Sequence, residues 1–196
     1  MKNFIGVLVI IVLVGAAYLI YSSAKVGILQ KSLASKESPI AGLVQTPTPA
    51  VSAGEVHSAD GSMNLVMKKV VTGESAAYSF YVTGNSIQNL LIFSKTITNG
   101  EMSIPGNSWS PDNKFLFIKG KEGTVSSYLV FKANGESFTD GNKYLDVAAL
   151  YNDKKMDYVL KDVTGWDAPG LLHVFTNGPS YWFELASKAF LQLATK

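Results

Sequence analysis

Ser108-Trp109-Ser110-Pro111-Asp112-Asn113-Lys114-Phe115-Leu116-Phe117-Ile118 reads as a tight turn running into a buried strand. Pro111 fixes the φ that the second position of a β-turn requires, and Asp112 and Asn113 tolerate the bends that follow. Asn is the commonest residue other than Gly to accept a left-handed backbone, so Asn113 suits the point where the chain reverses. Phe115 to Ile118 is then an apolar run of strand length.

The same alternation of turn and short strand extends outward over the C-terminal part. Strands are predicted at Asn64–Val71, Ala77–Val82, Asn89–Ile97, Lys114–Lys119, Ser126–Ala133, Leu145–Tyr151, Met156–Val163, Leu171–Thr176, Tyr181–Ala186 and Ala189–Leu193. Asn134-Gly135 is a strong hairpin signal, and Asn99-Gly100, Asp140-Gly141 and Asn177-Gly178 punctuate in the same way. In Tyr128-Leu129-Val130-Phe131 and Tyr181-Trp182-Phe183 both faces are apolar, which suits stacked sheets. No amphipathic helix stands out beyond residue 36, apart from a turn near Ala186–Ala189. The predicted class is all-β: short antiparallel strands in a partial propeller-like or open twisted sheet domain, preceded by one N-terminal transmembrane helix.

A repeat runs through this part. Ser58-Ala59-Asp60-Gly61-Ser62, Ser110-Pro111-Asp112-Asn113-Lys114 and Trp166-Asp167-Ala168-Pro169-Gly170 each precede an apolar strand, at a period of about 52–57 residues. The middle copy, Trp109-Ser110-Pro111-Asp112-Asn113, resembles the repeat motif of TolB-type and WD-repeat-like β-propellers, in which Trp-Ser-Pro-Asp-Gly-Lys opens a blade strand. Asn113 stands where that family has Gly. The resemblance implies blades of short strands and a structural role for these five residues. About 140 residues suffice for two to three blades, whereas a closed propeller has at least four. A compact non-closed domain is therefore expected first. Self-association to complete a ring, or a partner covering the open edge, are the alternatives.

Phe4 to Tyr21 carries no charge, and as a helix it would span roughly 27 Å, close to the hydrocarbon thickness of a bilayer. Lys2 precedes it, and Tyr18 and Tyr21 sit where interfacial aromatics belong. An uncleaved signal anchor contacting the lipid bilayer through residues 4–21 is the favoured reading. Ser22-Ser23-Ala24 offers a signal peptidase site and hence a cleaved secreted form. Lys25, Lys31 and Lys36 oppose an N terminus inside, but a segment at the extreme N terminus acts as an export signal. Residues 1–36 are thus read as anchor and juxtamembrane extension, 37–60 as a Pro/Thr/Ser-rich linker and 61–196 as the all-β domain.

Composition narrows the chemistry. All 17 basic residues are Lys, and residues 55–196 hold 13 of them against 14 acids. Without Arg forks or a basic excess, nucleic acid is not an expected partner. With no cysteine there is no disulfide, thiolate metal site or cysteine nucleophile. His57 and His173 are the only histidines and lie far apart in sequence, so no metal site is expected. The nearest approach to a Gly-x-Ser-x-Gly elbow, Gly106-Asn107-Ser108-Trp109-Ser110, lacks the final Gly. No phosphate loop or dinucleotide fingerprint occurs, so no cofactor and no catalytic residue is assigned. Trp109, Trp166 and Trp182 read first as core, with Trp166 and Trp182 retained as a candidate binding surface.

The expected function is that of a single-pass membrane protein at a bacterial cell envelope, N terminus cytoplasmic and C-terminal domain extracytoplasmic. It would act by protein–protein interaction or scaffolding, with a protein partner or with itself. The alternative is a hydrolase or glycan-active domain with an unrecognised carboxylate site.

Overall fold

The computed structural model describes residues 50–194 apart from Asn85. The expected membrane segment at residues 4–21, its extension to residue 36 and linker residues 37–49 lie outside the described residues. Among the described residues no helix is long and apolar enough to cross a membrane.

The described chain is all-β. It forms three four-stranded antiparallel sheets, each completed before the next begins. The first sheet holds β1 (Ala50–His57), β2 (Met63–Thr72), β3 (Ser75–Gly84) and β4 (Ile87–Thr98). The middle sheet holds β5 (Gly100–Ser103), β6 (Phe115–Glu122), β7 (Val125–Lys132) and β8 (Leu145–Asp146). The last sheet holds β9 (Leu160–Ala168), β10 (Leu171–Thr176), β11 (Tyr181–Glu184) and β12 (Ala189–Gln192). One helix, α1 (Val147–Asp153), follows β8. Three consecutive four-stranded meanders are compatible with a propeller-like arrangement.

Two cores hold the sheets face to face. Leu65, Tyr78, Phe80, Val82 and Ile97 of the first sheet meet Leu116, Ile118, Leu129 and Phe131 of the middle one. Phe117, Tyr128 and Val130 point the other way, onto Val163, Trp166, Leu172, Val174 and Phe183 of the last sheet. Successive strand residues face opposite sides, so β6 and β7 fill both cores. This is why Phe115–Ile118 and Tyr128–Phe131 show no polar alternation.

The strand reading needs four corrections. β1 lies wholly within residues 37–60, the stretch read as linker, so the all-β domain begins before residue 61. Its residues Ala50, Ser52, Ala53 and Gly54 carry little apolar signal, and pairing along the edge of β2 draws them into the sheet. β5 was not anticipated; it is four residues long and mostly exposed. Leu145–Tyr151 is a strand only at Leu145–Asp146. The Asp146 carboxylate then accepts hydrogen bonds from the Ala148 and Ala149 amides and starts α1, which buries Val147 and Tyr151 on one face. Met156–Val163 becomes strand only from Leu160. Asn134-Gly135 does begin a turn, with the Gly135 amide bonded to the Lys132 carbonyl, but β8 is reached only at Leu145. The pair therefore opens a long loop rather than closing a two-residue hairpin.

The Phe117 side chain is fully buried between the middle and last sheets. Phe117→Ala is expected to cost about 3–5 kcal/mol of unfolding free energy by denaturant titration. Tyr78 is equally buried, but its hydroxyl has no hydrogen-bond partner. Tyr78→Phe is therefore expected to be neutral or to stabilise by up to about 1 kcal/mol in the same assay.

Candidate functional site

The first two repeat copies fold into the same hydrogen-bonded turn. In the first, the Ser58 hydroxyl donates to the Asp60 carboxylate and accepts from the Met63 amide, while the Ser62 amide donates to Asp60. In the second, the Ser110 hydroxyl donates to Asp112 and accepts from the Phe115 amide, and the Lys114 amide donates to Asp112. Backbone bonds Ser58 N to Met63 O and Ser110 N to Phe115 O close the two turns alike. Gly61 has φ +71° and Asn113 φ +56°, so Asn113 occupies the left-handed position that Gly61 holds in its own copy. Asn113 also donates to the Ser62 hydroxyl and so ties one turn to the other.

The third copy differs from its sequence reading. Pro169-Gly170 forms a two-residue turn between Ala168 and Leu171, without an Asp–hydroxyl network. The third copy begins within β9, and only its Pro169-Gly170 makes the connection from the first to the second strand that the first two copies make in their sheets.

A groove of about 660 Å³ runs beside the two Asp turns, lined in part by Asp60, Asp112, Lys114, Lys132 and Glu136. Hydrogen bonds from Ser58, then the Ser62 amide and hydroxyl, hold the Asp60 carboxyl far below the usual carboxylate range. Partial burial opposes ionisation of Asp112, but bonds from Ser110 and Lys114 outweigh it and its carboxyl is also lowered. A general acid at neutral pH needs the opposite shift. These two carboxylates serve as turn acceptors. A second depression of about 470 Å³ lies beside α1, lined by Tyr151, Asp157 and Tyr158 among others. Burial raises the Tyr151 hydroxyl above its ordinary value, and this hydroxyl donates to the Tyr158 carbonyl. Among the described residues no three His, Asp or Glu side chains gather as a metal-binding group.

The three tryptophans divide by role. Trp109 is buried and its indole N–H donates to the Val56 carbonyl of β1, 2.9 Å away. Trp166 is buried, stacks on Phe115 and donates to the Ser108 carbonyl at 2.8 Å. Buried there, Trp166 links the middle and last sheets. Trp182 is half-buried on the far side of β11 and donates to Asp167. His173 lies beside it in register, with Nδ1 2.6 Å from the Thr164 hydroxyl. Across the middle and last sheets, Lys119 pairs with Asp162 at 2.8 Å. Nearby burial, with Asp162 adding to it, pushes the Tyr128 hydroxyl up to about 12.

The sequence did not disclose that two sheet faces are left open. On the last sheet, Leu171, His173, Phe175, Trp182 and Leu191 alternate with buried residues and so face away from the core, with Phe175 48% and Leu191 44% exposed. On the first sheet, register places Val51, Val66, Val70, Tyr81 and Leu91 on one face, opposite Leu65, Phe80 and Val82, with Val51 68% and Leu91 51% exposed. Lys68 lies over the Tyr81 ring at 4.9 Å on that face. No family model matches the chain, and no curated protein or solved structure matches it either.

Two predictions test the turns. Ser110 is buried and satisfies the Phe115 amide, so Ser110→Ala should cost about 1–3 kcal/mol by urea unfolding. Asn113→Gly keeps the left-handed backbone but loses the bond to Ser62, so it should cost no more than about 1 kcal/mol, whereas Asn113→Val should destabilise clearly. The pH dependence follows from the lowered carboxyls. A folded-state value below the unfolded 3.8 gives stability that is present above 3.8 and lost as pH falls below it. Between about pH 4 and 2 the urea midpoint of the wild type should fall more steeply than that of Asp60→Asn/Asp112→Asn. Parallel curves would contradict the assignment.

Proposed function

We propose that this chain is a membrane-anchored, extracytoplasmic all-β domain, akin to part of a TolB-type propeller, that works by protein–protein interaction at the cell envelope. One observation carries the reading: a three-sheet stack that ends in two half-exposed apolar sheet faces rather than in a lined catalytic pocket. Exposed apolar surface of this kind is what interaction sites present. The uncharged segment Phe4–Tyr21 supports an anchor, and the Pro-rich residues that follow support a spacer above the bilayer. Asp60 and Asp112 of the groove are taken up as acceptors within their turns, which supports the binding reading over the hydrolase alternative.

Placement is tested with the full chain carrying a C-terminal epitope in bacterial cells. The tag should stay with membranes washed in alkaline carbonate and be removed by protease added outside spheroplasts. A tag that is released by carbonate, or that resists protease until the cells are lysed, would overturn the reading.

A further inference from the structure

The links between neighbouring sheets follow one rule. His57 lies opposite Asn64 in the first sheet, Trp109 opposite Leu116 in the middle sheet, and Trp166 opposite Leu172 in the last. These three pairs stand at matching places across the turn into the second strand of each sheet, Trp109 as an isolated bridge beyond β5 and Trp166 beside a register shift at Leu171/Leu172. From this position Trp109 reaches back to the carbonyl of Val56, the residue before His57. Trp166 reaches back to the carbonyl of Ser108, the residue before Trp109. Each sheet thus offers a ring to the sheet before it and a carbonyl to the sheet after it.

The series has two loose ends. His57 has no preceding sheet within the described chain; it is exposed, with only Glu55 at 3.9 Å. Beside it, the Asn64 side-chain oxygen is shielded yet has no hydrogen-bond partner. At the other end, Gly165 precedes Trp166, and its carbonyl holds the place of the Val56 and Ser108 carbonyls. The two open apolar faces lie at these same ends. Lys68 and Glu55 both face out from the first sheet, and Asp167 and Glu184 from the last, so Lys68 meets acidic partners there.

We infer that a second copy of this chain covers both faces, the open face of the first sheet of each copy packing on the open face of the last sheet of the other. In that pair His57 of one copy stands where Trp109 and Trp166 stand in their sheets and donates to the Gly165 carbonyl of the other. The contact is heterologous, and such contacts form closed rings only when the rotation closes. Closed propellers have about four to eight blades. With three sheets per chain, two copies make six, and one or three copies fall outside that range. This inference rests on the reading of the domain as a protein-binding one and names its partner.

The chain has no cysteine, so a single introduced cysteine reports on each face. Leu91→Cys marks the open face of the first sheet and Phe175→Cys that of the last. The full chain is purified in mild detergent, and its protein mass is measured by light scattering after size-exclusion chromatography. The two cysteine variants are then mixed and treated with a short bifunctional maleimide. The expected mass is twice that of one chain. Crosslinks between the two variants should exceed those within either variant alone by at least about fivefold, as a head-to-tail contact requires. His57→Trp should increase the dimer fraction at low concentration. Phe175→Lys should yield monomer with an unchanged circular dichroism spectrum. A monomeric wild type, or like-with-like crosslinks as strong as mixed ones, would overturn the inference. In the monomeric case, maleimide labelling of each cysteine in isolated membranes separates the two ideas. Shielded cysteines mean that another protein covers the faces and the broader reading stands; freely labelled ones remove both.

Discussion

β6 and β7 have to be covered on both faces, because their large side chains alternate between opposite sides of the sheet. Leu116, Ile118, Leu129 and Phe131 are covered by the first sheet, and Phe117, Tyr128 and Val130 by the last. Each such residue contributes about 1.5–3 kcal/mol when fully buried. Among the described residues, neither outer sheet has another strongly apolar layer to lie on. The middle sheet is therefore the constraint on which the position of the other two depends.

Packing of flat faces leaves rotation and sliding open, and the polar links close that freedom. The Trp109 bond to Val56 and the Trp166 bond to Ser108 fix where each first strand stands relative to the one before. Gly165 adds a steric condition on the same seam: a Cβ there would fall 1.9 Å from the Asn107 amide nitrogen. With φ at +141°, this position is suited to Gly on both counts. The Asp60 and Asp112 turns hold the connections that carry these residues. Sheet order and the two unfilled end positions thus come from the same few residues.

Much of the fold was legible in the sequence where one physical signal acted alone. Asn113 could be read as a left-handed position because little but Gly or Asn tolerates it, and its φ of +56° agrees. Phe115–Ile118 and Tyr128–Phe131 could be read as doubly buried because no polar residue interrupts them. β1 was not legible because a paired edge strand of small residues has no apolar period. Helix α1 was hidden because Leu145–Tyr151 is apolar enough for either structure, and the Asp146 cap decides. The third repeat reaches the expected connection only at Pro169-Gly170, and its Asp167 turned out to serve Trp182 rather than a turn. The open faces were invisible because Phe175, Trp182 and Leu91 are indistinguishable by type from core residues. Only register and the direction of alternation separate them.

Native-state hydrogen exchange, resolved by residue, tests the central role of the middle sheet most directly. Amides of β6 and β7, such as Phe117 and Val130, should exchange only through global unfolding and be the slowest in the domain. Slower exchange in β2–β3 or β10–β11 than in β6–β7 would contradict the account, because an outer sheet would then hold together without the layer said to support it.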